Sequence, residues 1–191
     1  LLAKLYLNAE VYTGTARFDD AATFISKVIN EGGYTLATDF VSNFSGDNNN
    51  STEIIYPLIA DADFSQSYGN TTYIVNGNLS SETMTPNDFG ATDGWGGHRS
   101  SKGWYGLFDE VGATATDDRA KLFWTEGHTF EMNDYKEWTE GYPSIKFRNS
   151  NFEGTSNASA FSSTDFPLFR LSDAYLMYAE CAVRGASGTD V

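Results

Sequence analysis

The residues best suited to contact a ligand stand together in Thr92-Asp-Gly-Trp-Gly-Gly-His-Arg99. Trp95 lies between Gly94 and Gly96, so no adjacent side chain covers its ring and the backbone is free to take unusual angles. An indole held this way offers a flat apolar face for stacking, with Asp93 and Arg99 supplying hydrogen-bonding groups at the rim. The alternative is a Trp95 folded back as a lid on its own loop. Upstream, Ser67-Tyr-Gly-Asn-Thr-Thr-Tyr73 forms a second polar-rimmed aromatic patch. Strand alternation sets Tyr73 on the side of Thr71, while Tyr68 sits in the looser part; either tyrosine fits a ligand surface or the core.

Other candidates are weaker. Trp104, Trp124 and Trp138 keep company with Leu107, Phe108, Leu122 and Phe123, and are read as core. His98 and His128 lack metal-ligand spacing. His98 is placed near ligand only through its neighbours, and His128, between Gly127 and Thr129, is read as a surface-turn residue. Asp47-Asn-Asn-Asn-Ser-Thr-Glu53 has oxygen ligands at alternating positions, but Thr52 and Leu58 replace the glycine and glutamate an EF-hand needs, so it is read as a solvated loop. Asn70 and Asn157 open Asn-x-Ser/Thr triplets that follow from the composition. Glycoside hydrolysis needs two carboxylates about 5 to 10 Å apart. With 26 acidic residues in the chain, accidental candidates such as Glu126, Glu131, Asp134, Glu137 and Glu140 abound, so their presence is not specific. No nucleophile elbow, His-Glu-x-x-His helix or phosphate-binding glycine loop occurs. Neither a metal nor a cofactor is expected.

Composition narrows the partners. A net charge of −14 repels phosphate backbones and acidic membrane surfaces, so nucleic acid is excluded and neutral ligands fit better. The 191 residues, 40% hydrophobic, suffice for one core or part of a larger one. A single cysteine, Cys181, excludes an internal disulfide and reads as a small buried apolar residue. Leu1 already lies inside an amphipathic pattern, and the reading is of an internal piece of a longer protein.

The elements that must position these residues fall into three stretches. Over 1–34, Leu2, Leu5, Tyr6 and Ala9, then Phe18, Ala21, Ala22, Ile25, Val28 and Ile29, mark two amphipathic helices near 1–13 and 18–31. The short link Thr13–Arg17 makes them an antiparallel hairpin, with Asp19 and Asp20 in the second helix's first turn and Gly32-Gly33 at its end. Over 35–165, Gly, Asn, Ser and Thr predict long loops carrying a ligand-binding face. Within it, 53–59 and 71–75 read as strands, 144–148 as a strand with Ile145 and Phe147 inward and Lys146 and Arg148 outward, and 101–110 as a short helix with Trp104, Leu107 and Phe108 on one side. Over 166–191, Pro167 blocks helix, Ser172 and Asp173 open one, Gly185 closes it, and a flexible tail follows.

That last helix carries the identifying pattern. Phe166-Pro-Leu-Phe-Arg-Leu-Ser-Asp-Ala-Tyr-Leu-Met-Tyr-Ala-Glu180 has Leu171, Ala174, Tyr175, Tyr178 and Ala182 at helical spacing and Leu176, Met177 and Cys181 opposite, so it packs on more than one face. The segment resembles the signature helix of the SusD/RagB family of surface glycan-binding lipoproteins. Asp117-Asp-Arg119 resembles another recurring element of that family, an ion pair at a helix start. The resemblance implies a mainly α fold: a tetratricopeptide-like α-α superhelix with a large loop-rich insertion containing short strands. Under it the three stretches are a scaffold hairpin, a ligand-binding region and the start of a later scaffold unit, all parts of one domain. It implies a sugar platform built on Trp95, on Tyr68 or Tyr73 and on Arg99, beside the Asp93 already read at the rim. It further implies non-catalytic binding of an oligosaccharide or polysaccharide, delivery to a TonB-dependent, SusC-like transporter, and an outward-facing place on the outer membrane. The lipid anchor would lie in an N-terminal segment outside this chain. The rival readings are a glycoside hydrolase or its accessory domain, and a helical-repeat assembly module.

Overall fold

The computed structural model describes residues 1–155 and 158–189; Asn157 of the second sequon and the final Asp190 and Val191 lie outside them. In chain order the elements are α1 (Leu2–Leu7), α2 (Ala9–Thr13), α3 (Phe18–Glu31), β1 (Ile54–Leu58), α4 (Asn70–Gly77), α5 (Lys102–Tyr105), β2 (Phe166–Arg170) and α6 (Leu171–Val183), with four short 3₁₀ turns between them. Regular structure is mainly helical, and β1 and β2 pair in a two-stranded sheet. The chain divides into two compact units, one of residues 1–38, 51–57 and 167–191, the other of 39–50 and 58–166.

The first unit is helical because small residues let helices approach. Ala3 and Leu7 of α1, Ala21, Ala22 and Ile25 of α3, and Leu171, Ala174 and Cys181 of α6 form one buried cluster. Tyr6 stacks on Phe24 at 5.5 Å between ring centroids, and Lys4 pairs with Asp173 at 2.7 Å. The expected first helix is broken at Asn8, whose side-chain amide donates to the Lys4 carbonyl and competes with the helical ladder. Gly14, left-handed at φ 76°, closes α2. Of the residues expected to pack on the two faces of α6, Tyr175 of the first and Leu176 of the opposite one are exposed, along with Val183. Ser172 caps nothing: its hydroxyl is buried without a hydrogen-bond partner, and Asp173 is taken by Lys4. The segment after Gly185 is no loose tail as far as Thr189, since Ala186 is buried and the Ser187 amide donates to Asp19.

The stretch read as a solvated loop, 47–53, is tied down in both units. Asn48 is buried in the second unit, where its amide donates to the Asn43 and Asp165 carbonyls and its oxygen accepts from the Asp165 amide. Glu53 is buried in the first unit and pairs with Arg170 at 2.7 Å.

In the second unit the predicted strand at 71–75 is the helix α4. Its β-branched residues favour a strand by propensity, but Thr71, Thr72, Val75 and Asn76 are buried together at helical spacing. The Thr71 hydroxyl donates to the Thr164 carbonyl, and the Thr72 hydroxyl accepts from the Ser162 amide. Residues 144–148 carry only an isolated bridge between Phe123 and Ser144. Ile145 and Phe147 pack inward as expected on a cluster of Val75, Leu79, Met84, Phe89 and Trp138. Arg148 is not outward: burial pulls its pKa down, and its guanidinium donates to the Ile145 carbonyl. Around α5 the inward ring is Tyr105, fully buried against Phe123 and Tyr142, whereas Trp104 is half exposed and Leu107 exposed.

Candidate functional site

The site is assembled on the end of α4. The last carbonyls of a helix have no partner within it, and here the Trp95 loop supplies the donors. The Trp95 amide donates to the Asn76 carbonyl at 2.8 Å, those of Gly97 and His98 to Gly77 at 3.0 and 2.7 Å, and that of Gly96 to Leu79 at 2.8 Å. Two glycines permit this close approach. A Cβ on Gly94 would sit 2.5 Å from the Leu79 carbonyl carbon, and one on Gly77 would sit 2.3 Å from the His98 ring. The glycine-flanked tryptophan is therefore pinned by backbone, and its side chain is left to the surface.

Trp95 meets both tyrosines. Its ring lies 6.1 Å from Tyr68 and 6.3 Å from Tyr73, each inclined at 56°. The indole is 39% exposed, and Tyr68 and Tyr73 are more open still. Tyr73 projects from the exposed face of α4 because its neighbours Thr71, Thr72, Val75 and Asn76 face inward. Phe161 extends the patch, 5.1 Å from Tyr68, and the His98 ring stands edge-on to Tyr73 at 4.5 Å. Burial lowers the His98 pKa, so the imidazole is neutral at pH 7 and adds a hydrogen-bonding edge without charge. Together these rings make a tilted, partly open surface suited to flat apolar faces.

The other expected residues are placed differently. Asp93 is exposed and accepts from the Gly94 amide at 2.8 Å, which shapes the turn before Trp95. Arg99 donates to the Tyr135 carbonyl and lies over Trp138, 5.5 Å from its centroid, instead of standing at the rim of the Trp95 ring. His128 is not a surface-turn residue. Its Nδ1 meets the Gly141 carbonyl at 2.8 Å and its Nε2 the Thr83 hydroxyl at 3.0 Å, and that hydroxyl also accepts from Trp138 Nε1. Burial, the largest influence, lowers its pKa. Asp117 and Arg119 do form the expected pair at 2.6 Å just before a 3₁₀ turn at Ala120–Leu122, with the carboxyl held down to about 2 by the guanidinium. Phe161 escaped sequence reading altogether, since nothing in Ser159-Ala-Phe-Ser162 marks a ligand contact. Among the described residues no group of three or more His, Cys, Asp or Glu side chains is placed to hold a metal ion.

Known proteins match both sequence and fold. The chain is 29% identical, along an alignment of 235 positions, to the starch-binding protein SusD of Bacteroides thetaiotaomicron, covering 96% of this chain and 41% of that protein. It superposes on a SusD superfamily protein from Parabacteroides distasonis with a TM-score of 0.65 and 23% identity, covering 95% of this chain and 38% of the other. It also superposes on surface glycan-binding protein A of Bacteroides thetaiotaomicron in complex with laminarihexaose, with a TM-score of 0.62 and 19% identity over 97% of this chain and 43% of that one. The chain thus spans well under half the length of the relatives it matches. The model of the SusD family aligns with residues 52–189, well over half of the sequence, and takes in α4, the Trp95 loop and α6: the chain belongs to the SusD family.

Proposed function

We propose that this chain contributes the ring surface on which a SusD-like protein captures an oligosaccharide or polysaccharide without cleaving it. The observation that carries the reading is the convergence of Trp95, Tyr68 and Tyr73, three open rings 6.1 to 6.3 Å apart along two contacts and held by a backbone clasp. Inclined rings follow the curve of a glycan chain, and the exposed Asp93 and the His98 edge supply polar groups beside them. The names of the relatives, a starch-binding protein and a glycan-binding protein with a bound oligosaccharide, support a saccharide as the ligand. Arg99 acts through the Trp138 face that backs the loop.

Binding without hydrolysis is supported by how two of the candidate acids are used. Glu131 pairs with Lys102, and Glu140 accepts from the Asn133 and Asp134 amides, which lower its pKa. In the whole protein we place the stretches 1–34 and 166–191 in a tetratricopeptide-like scaffold and 35–165 in the ligand-binding region. The captured glycan passes to a TonB-dependent, SusC-like transporter at the outer membrane, where a lipid anchor holds the protein outward. Affinity gels with the full-length protein test the site. Covering about 60 Å² of indole is worth roughly 1.5 kcal/mol at about 25 cal/mol per Å². Trp95→Ala should therefore weaken retention about tenfold with the fold intact, and an unchanged affinity would sink the platform.

A further inference from the structure

A second feature adjoins the rings. Two cavities of about 420 and about 190 Å³ share Trp104, Ser144 and Lys146 as walls. His98, whose ring touches Tyr73, lines the larger one, so the ring surface and the cavities meet at that imidazole. Trp104 is 50% exposed, an unusual state for a tryptophan that sequence reading assigns to the core. Its ring stands edge-on to Phe123 at 5.1 Å, which fixes it as a wall. Asn78 and Ser100 add hydrogen-bonding groups.

The charge of the lining is the unexpected part. In a chain of net charge −14, Arg99 and Lys146 line the larger cavity and Arg119 and Lys146 the smaller, and no Asp or Glu lines either. Lys146 is held by aromatic faces, its ammonium 4.1 Å from the Phe44 centroid and 5.3 Å from that of Phe40. Arg119 shares its charge with Asp117. Cations gathered on apolar walls next to a stacking tryptophan match a sugar ring that carries an anionic oxygen group.

We propose that the groove at Trp104 continues the ring surface past His98 and receives an acidic saccharide residue, whose carboxylate or sulfate pairs with Lys146 in the field of Arg99 and Arg119. The inference rests on the glycan-binding reading above and names the class of glycan: one with anionic residues among its sugars. Stacking on Trp104 fixes the ring, and the ion pair selects the charge.

The test uses the full-length protein in affinity gels and calorimetry with three probes: an oligogalacturonate hexamer, its carboxyl-reduced neutral counterpart, and a sulfated hexasaccharide from heparin. At 20 mM NaCl an anionic probe should bind about tenfold more tightly than the neutral one, with the gap narrowing at 300 mM. Preference for the uronate or for the sulfate identifies the anion. Lys146→Gln should close the gap, Lys146→Arg should restore it, and Trp104→Ala should weaken anionic probes, with melting temperatures reporting on the fold. Trp95→Ala should weaken all probes alike. Equal binding of charged and neutral probes, preference for the neutral one, or no binding of any probe overturns the groove. Neutral binding lost in Trp95→Ala leaves the ring surface standing, whereas anionic binding lost only in Lys146→Gln leaves the groove standing without it.

Discussion

A tryptophan can hold a ligand only if something else holds the tryptophan. In this chain that work falls to two residues without side chains. Gly94 lies so close to Leu79 that an added Cβ would meet backbone at 2.5 Å, and backbone cannot swing aside as a flexible side chain can. Gly94→Ala is therefore expected to lift the loop from α4, breaking the Trp95–Asn76 and Gly96–Leu79 hydrogen bonds. Overpacking of this kind costs about 1 to 3 kcal/mol. The loss should appear as a lower urea midpoint together with weaker glycan retention, because the indole loses its fixed position. Full stability and full binding in this variant would show that the clasp does not position Trp95. The residue pattern Gly-Trp-Gly was legible in the sequence because glycines advertise backbone constraint. The direction of Arg99 was not legible, because sequence proximity to Trp95 says nothing of it: four residues on, the guanidinium faces Trp138 and the Tyr135 carbonyl.

At the scale of elements, periodicity located the helices and missed what the polar residues do. α3 and α6 were legible because Ala21, Ala22 and Ile25, and Leu171 and Ala174, repeat at helical spacing, although Cys181, read as opposite, joins the same buried cluster. α4 was not: Thr71, Thr72, Ile74 and Val75 have strand propensity, and only hydrogen bonds to Thr164 and Ser162, some ninety residues away, make helix the better choice. The change of element also changes where the tyrosines stand. A strand made Tyr68 and Tyr73 alternatives, whereas a helix beginning at Asn70 lets both reach Trp95. The polar run ending at Glu53 was read as solvated, yet Glu53 is the tie of the small sheet. Its carboxylate pairs with Arg170 and accepts from the Ala37 amide, and its carbonyl accepts from the first residue of α6, Leu171. Glu53→Ala removes the buried acid of this pair and the acceptor of the Ala37 amide, a change worth about 3 kcal/mol. Thermal unfolding should show a markedly lower midpoint in this variant, and a shift no larger than that of Glu180→Ala, at an exposed pair, would contradict the assignment.

Over the whole molecule, a charge of −14 on 191 residues sets local ion pairs against general repulsion, and the balance decides how stability responds to salt. The Glu53–Arg170 pair is largely shielded from solvent, whereas Lys4–Asp173, Arg17–Asp20 and Lys102–Glu131 stand in solvent. Exposed pairs contribute about 0 to 1 kcal/mol each, and salt weakens that small gain. Repulsion among the surplus carboxylates favours the expanded chain and is screened over the same range, since the Debye length falls from about 20 Å to about 6 Å between 20 and 300 mM salt. Long-range terms lose more from that change than contacts below 3 Å do. The protein should accordingly become more stable in sodium chloride, with a urea midpoint that rises between 20 and 300 mM, while binding of an anionic glycan in the Trp104 groove weakens over the same interval. A midpoint that falls would mean that the short ion pairs, and not the surplus charge, govern the electrostatics of the fold.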